Sequence, residues 1–159
     1  MNTLIFALLG AGFVIAFFAG EGRVKKLAAG SLVGFLVATQ IGEFVLTQKS
    51  KLDFMPEYSI GTVQIALLIV VTLLFNLGKV HHVEGRPRVS IESITVALIT
   101  MAFLFSAVLT FVGESTRSEW LNDYNLVALV YTWRLLLLGL TAGGLLVIEI
   151  MGANTKKPR

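Results

Sequence analysis

Long apolar runs, separated by short polar segments, divide the chain into five stretches of nearly membrane length. A helix needs about 20 mostly apolar residues to cross roughly 30 Å of hydrocarbon, because it rises about 1.5 Å per residue. The pattern predicts membrane spans at residues 4–20, 27–46, 58–77, 94–113 and 126–148. We therefore predict an all-α, polytopic bundle of five transmembrane helices that forms a single domain over residues 1–159.

Signals at the ends of these stretches agree with helix boundaries. Pro56 suits a first helical turn, where its missing N–H is no loss, and Gly152 suits the end of the fifth helix. Ser90 is a typical N-cap that follows a break at Pro87. We interpret the first stretch as a helix and not as a signal peptide, because it lacks a basic leader and Phe17 is wrong for a cleavage site.

The composition favours lipid as the surroundings of this chain. Hydrophobic residues make up 55% of it and charged residues only 14%, whereas soluble domains are about a quarter charged. The formal net charge is +3, but the basic residues are scattered over short segments, so we expect no nucleic-acid partner. The sequence has no cysteine, which excludes disulfides and thiolate metal sites.

Lysine and arginine in the connecting segments predict the orientation, because cytoplasmic loops carry the positive excess. One side collects nine basic residues: Arg23, Lys25, Lys26, Lys79, Arg86, Arg88, Lys156, Lys157 and Arg159. The other side has only Lys49, Lys51 and Arg117. We therefore expect a multi-pass protein of the cell membrane with its N-terminus outside and its C-terminus in the cytoplasm. Tyr58, Trp120 and Tyr124 then lie at the outer boundary, where amphipathic rings are favoured.

Small residues recur at every fourth position on three of the predicted helices. In a bilayer, helices associate through close backbone contact, which small side chains permit. The positions are Gly12, Ala16 and Gly20 on the first helix, Gly30, Gly34, Ala38 and Gly42 on the second, and Gly139 and Gly143 on the fifth. We predict that the first two helices form a tight antiparallel hairpin, with a turn at residues 21–26 and these stripes in contact.

Four polar side chains in the predicted outer half of the membrane form a candidate site: Gln40, Glu43, Gln64 and Arg134. An arginine near the middle of the bilayer costs about 2.5–3.5 kcal/mol on insertion scales, so Arg134 needs a partner. We expect that partner to be Glu43, with Glu114 as the second choice. Two interpretations remain open, a buried ion pair that fixes helix register or a site for an ion, proton, quinone or lipid headgroup.

The sequence has no catalytic constellation in its predicted spans. The histidines are the adjacent pair His81 and His82, in a predicted cytoplasmic loop, so we expect no haem and no histidine base inside the membrane. His81, His82 and Glu84 do not share a helical face, and we predict neither a metal site nor a cofactor.

These observations favour a non-catalytic membrane subunit, part of a larger complex or a homo-oligomer, whose partners are lipids and other membrane chains or copies of itself. The alternative is a small channel or transporter that uses the outer-half polar residues. A third hypothesis, an enzyme acting on lipids, has only Glu43, Glu114 or Glu149 as a possible acid or base.

Overall fold

The fold is entirely helical in the part of the chain that the structure describes. A computed structural model describes residues 2–48, 57–77 and 90–154. In chain order these residues form α1 (Asn2–Gln48), α2 (Glu57–Leu77), α3 (Ile91–Phe111), α4 (Glu114–Asp123), α5 (Asn125–Thr132) and α6 (Arg134–Asn154). A helix satisfies its own backbone hydrogen bonds, which is the condition for a chain in hydrocarbon.

Three of the described helical segments are long and apolar enough to cross a membrane: Gly20–Val45, Ile60–Leu77 and Ile91–Phe111. A fourth is obtained if Asn125–Thr132 and Arg134–Ile150, which are bent by 61°, are counted together as one span. Large apolar side chains such as Phe18, Leu77 and Leu135 are 73–79% exposed, a surface that suits lipid and not water. The fold is therefore that of an all-helical protein with several membrane-length helices.

Gly20 divides α1 into two parts. Its φ of 71° and ψ of 179° lie in a region that glycine adopts without steric cost and that would break a regular helix. Residues 21–26, predicted from the sequence to be a turn, are helical instead. The turn predicted at residues 21–26 is wrong, because basic residues that mark a membrane edge are also compatible with helix. The predicted end of the first stretch, at residue 20, coincides with the break at Gly20.

The two parts of α1 run in opposite directions along α3. Before Gly20, the contacts of α1 move toward the start of α3: Leu9 lies near Phe105 and Leu109, and Gly12 near Met101 and Ala97. After Gly20, they move toward the end of α3: Ala28 lies near Val96, Phe35 near Phe103, and Ala38 near Phe111. The chain therefore reverses at Gly20.

The central helix is α3. Within its most apolar stretch 56% of the residues are buried inside the chain, against 11% for the corresponding stretch of α2. The start of α3 is fixed by reciprocal bonds, in which the Ser93 amide donates to Ser90 Oγ at 3.1 Å and the Ser90 amide donates to Ser93 Oγ at 3.3 Å. This capping confirms the helix start that Ser90 predicts. Both parts of α1, together with α2, α5 and α6, pack around α3.

Candidate functional site

The glycine stripe of the second part of α1 is covered by α2. A Cβ at Gly30 would lie 2.8 Å from Phe75 Cβ, and one at Gly34 would lie 2.9 Å from the carbonyl oxygen of Leu68. A Cβ at Gly42 would collide with the Gln64 side chain. Ala38, in the same stripe, is fully buried against Leu68. These small residues therefore let two helix backbones approach closely, which is the packing mode expected in a bilayer.

Two polar side chains of α2 bond to the α1 backbone across this contact. Gln64 Nε2 donates to the carbonyl oxygen of Ala38 at 3.2 Å. Thr72 Oγ1 lies 3.4 Å from the carbonyl oxygen of Gly30 and donates at 2.7 Å to that of Leu68 on its own helix. Gln64, which the sequence assigned to an outer-half polar cluster, is thus used to join α1 and α2.

The small residues of the first part of α1 contact α3. A Cβ at Gly12 would lie 2.8 Å from Met101 Cγ and 3.2 Å from the carbonyl oxygen of Ala97. Ala16 is fully buried in the cluster that contains Ala97, and Gly20 supplies the chain reversal. The predicted contact between the two stripes of α1 is therefore replaced by contacts of each stripe with a different helix. Periodicity identifies a packing face but not its partner.

Two glycines of α6, Gly139 and Gly143, lie on a face without close neighbours in the described part of the chain, and a third, Gly144, packs against α3. A Cβ at Gly139 or Gly143 would have no described atom within 4 Å. A Cβ at Gly144 would lie 2.7 Å from Val96 on α3. The contact of Gly144 was not predicted from the sequence, although Gly144 directly follows the predicted packing residue Gly143. Thr141 and Ile148, which lie on the same face as Gly144, are buried.

The structure brings the Gln64 side chain to the α1 backbone near Gln40 and Glu43, and gives Arg134 contacts elsewhere. Gln40 and Glu43 are exposed on α1, whereas Gln64 lies at the α1–α2 contact and Arg134 at the start of α6. Among the described residues, ion pairs are formed by Lys25, whose Nζ lies 3.2 Å from Glu21 and 3.0 Å from Glu149. The described residues do not include the expected ion pair between Glu43 and Arg134, whose guanidinium contacts Tyr131.

Those partners lie at the break between α5 and α6. Trp133, with φ of −89° and ψ of 13°, separates the two helices, and its amide donates to Leu129 at 3.1 Å. Arg134 Nη1 donates to the carbonyl oxygen of Tyr131 at 3.3 Å. A helix break leaves backbone groups without intrahelical partners, and a long arginine side chain can satisfy one of them.

Tyr131 also has arginine guanidinium groups close to its ring. The Cζ atom of Arg134 lies 4.4 Å from the ring centroid, and that of Arg117, on α4, lies 5.6 Å from it. Both distances suit a cation–π interaction. We call Arg117, Tyr131 and Arg134 the arginine–tyrosine cluster. From the sequence, Arg134 is predicted as a site residue and Arg117 only as a basic residue on the outer side. Tyr131 is not predicted, although it lies three residues before Arg134, a spacing at which helical side chains meet.

A cavity of about 420 Å³ lies where α3 turns into α4. Its lining includes Gly61 and Thr62 from α2, Phe111 from the end of α3, and Glu114 and Ser115 from α4. The lining offers one carboxylate and two hydroxyls, so it can accept and donate hydrogen bonds.

The described residues contain no group of three metal-ligating side chains. His81, His82 and Glu84 lie outside the described residues. Comparisons with models of protein families, with curated proteins and with solved structures found no match for this chain. The class of protein is thus defined by the structure alone, as an all-helical chain with several apolar helices of membrane length.

Proposed function

We propose that the chain is a non-catalytic integral membrane subunit of a larger complex or homo-oligomer. The main support for this proposal comes from Gly139 and Gly143, where an added Cβ would meet no described atom within 4 Å. Elsewhere in the chain, Gly12, Gly30 and Gly34 are used for close helix contact. Small residues left open on a membrane helix are suited to packing against another chain.

Exposed polar side chains on α1 give independent support to this proposal. Gln40 and Glu43 lie on the exposed face of the membrane-length segment Gly20–Val45. Polar groups on a lipid-facing surface are unfavourable unless they lie near the interface or meet a partner. A neighbouring subunit that supplies hydrogen bonds would remove this cost.

The proposed threading has five spans, with the N-terminus outside and the C-terminus in the cytoplasm of a cell membrane. The reversal at Gly20 supports separate crossings by the two parts of α1, since they run in opposite directions along α3. Lys25 and Glu149 pair where the second part of α1 begins and α6 ends. Arg23, Lys25 and Lys26 lie at that end of the bundle and support its placement on the cytoplasmic side.

The test is the mass of the particle purified in several mild detergents, read by native mass spectrometry. We expect a mass above that of one chain, from further copies or from a second protein. The double variant Gly139→Leu with Gly143→Leu should lower the mass to that of a monomer. Gly113→Leu is the control, because a Cβ at Gly113 also meets no described atom within 4 Å and Gly113 lies in the turn before α4, not on a helix face. A wild-type monomer in every detergent would refute the proposal.

A second candidate function is a small channel or transporter. The break of 61° between α5 and α6 favours it, because transporters place discontinuous helices at their binding sites. The test is flux into liposomes that contain the purified protein. Glu43→Gln should change the flux if this carboxylate binds or titrates along the path, and an unchanged flux would remove it from the mechanism.

A further inference from the structure

The arginine–tyrosine cluster combines positive charges that the described chain leaves without a counter-ion. Arg117 and Arg134 are both half-buried and both lie within 5.6 Å of the Tyr131 ring centroid. Neither arginine forms an ion pair with any described residue. Each guanidinium has five N–H donors, and one from Arg134 is used by the Tyr131 carbonyl oxygen. Donors therefore remain for an anion.

The acidic residues of α4 do not neutralise this cluster directly. At 100° per residue, Glu119 and Asp123 lie about 160° and 120° around the helix from Arg117. Glu114 is about 60° away, but it lines the cavity beside Gly61. The sequences of α5 and of the end of α3 contain no charged residue. The described carboxylates of α4 thus form no ion pair with Arg117 or Arg134, and both guanidinium groups keep their charge for another partner.

The lengths of the helices place the cluster at headgroup depth. The 21 residues of α6 extend about 31 Å, which is about the thickness of the hydrocarbon core. Arg134 begins α6 and contacts the same Tyr131 ring as Arg117 of α4, so its depth is tied to that of α4. Arg117 comes from α4, a helix without buried residues that suits the interface. Trp120 packs against the apolar cluster nearby, as interfacial aromatic residues do.

We propose that Arg117 and Arg134 bind the phosphate group of an anionic phospholipid. Guanidinium groups match phosphate oxygens in geometry, and each can donate paired hydrogen bonds. Both Cζ atoms lie close to the Tyr131 ring, 4.4 Å and 5.6 Å from its centroid, so the same ring positions both guanidinium groups for the headgroup. The ligand is a negatively charged phosphate group, and it belongs to a phospholipid of the leaflet that adjoins α4. This site is independent of whether the chain forms oligomers.

The test is retention of lipid by the purified full chain, exchanged into nanodiscs with equal parts of phosphatidylglycerol and phosphatidylcholine and then read by native mass spectrometry. We expect phosphatidylglycerol to be retained preferentially. Arg117→Gln should reduce this retention about fivefold, since a basic residue near a charged leaflet contributes about 1 kcal/mol. Arg117→Gln is the preferred variant because α4 has no buried residues, so the substitution leaves the helix packing intact.

Arg23→Gln is the matched control, since Arg23 is an exposed arginine at the other end of the bundle. Arg134→Lys keeps the charge but loses the paired donors, and it should weaken retention less than Arg134→Gln. Added inorganic phosphate distinguishes a site for free phosphate from a site for a lipid headgroup. If millimolar phosphate displaces the lipid, the site is open to soluble anions. If it does not, the result supports a headgroup site. Equal retention by the wild type, Arg117→Gln and Arg23→Gln would overturn the proposal.

Discussion

A close contact between the backbones of α1 and α2 makes Gly34 an informative position for one added methyl group. Gly34→Ala brings a Cβ to 2.9 Å from the carbonyl oxygen of Leu68, to 3.3 Å from Thr72 Oγ1 and to 3.4 Å from Leu68 Cδ1. The nearest atom belongs to a helix backbone, which cannot move without shifting α2. Overpacking of this kind costs about 1–3 kcal/mol.

The control is Gly10→Ala, on the same helix, where the added Cβ meets no described atom within 4 Å. Both substitutions gain the higher helix propensity of alanine, about 1 kcal/mol in water. The difference between the two variants therefore isolates the contact with α2. We expect Gly34→Ala to be less stable than Gly10→Ala by about 1–3 kcal/mol.

The assay is reversible unfolding of the purified chain in mixed micelles as the denaturing detergent is increased, followed by circular dichroism. A lower midpoint for Gly34→Ala, with the Gly10→Ala midpoint at or above that of the wild type, is the expected result. Equal midpoints for the two variants would refute the close contact between α1 and α2.

Three further predictions use the same unfolding assay. Gly144→Leu should destabilise the fold by about 1–3 kcal/mol, because its side chain meets α3. Gly143→Leu should leave the stability of the monomer unchanged. A larger loss of stability for Gly143→Leu than for Gly144→Leu would contradict the assigned faces of α6. Gln64→Leu should lower stability by about 0.6 kcal/mol or more through loss of its interhelical bond, and an unchanged midpoint would show that this bond contributes nothing. Lys25→Gln should change stability by less than about 1 kcal/mol, since its partner Glu149 is 72% exposed, and a large loss would indicate a buried pair.

The helical class and the packing faces of this protein could be predicted because they depend on local composition. A run of about 20 apolar residues has few alternatives to a membrane helix. The four-residue spacing of Gly30, Gly34 and Gly42 predicts a close contact, and the structure has one there. Ser90 predicts the start of α3 because N-capping depends on residues a few positions apart.

The partner of each face could not be predicted, because it depends on tertiary arrangement. The stripe on the second part of α1 meets α2 and not the neighbouring stripe, and hydrophobic periodicity is the same in both arrangements. The break at Trp133 has no proline or glycine to mark it in the sequence. That break places Arg134 at the start of a helix, where its guanidinium contacts Tyr131.

The measurement that tests the central claim most directly is the accessibility of single cysteines in intact cells. The native chain has no cysteine, so each introduced thiol reports one position. With separate crossings on either side of Gly20, Asn2→Cys and Lys49→Cys should react with a membrane-impermeant maleimide. Arg23→Cys should react only after permeabilisation. Labelling of Arg23→Cys and Lys49→Cys from the same side would contradict the proposed threading.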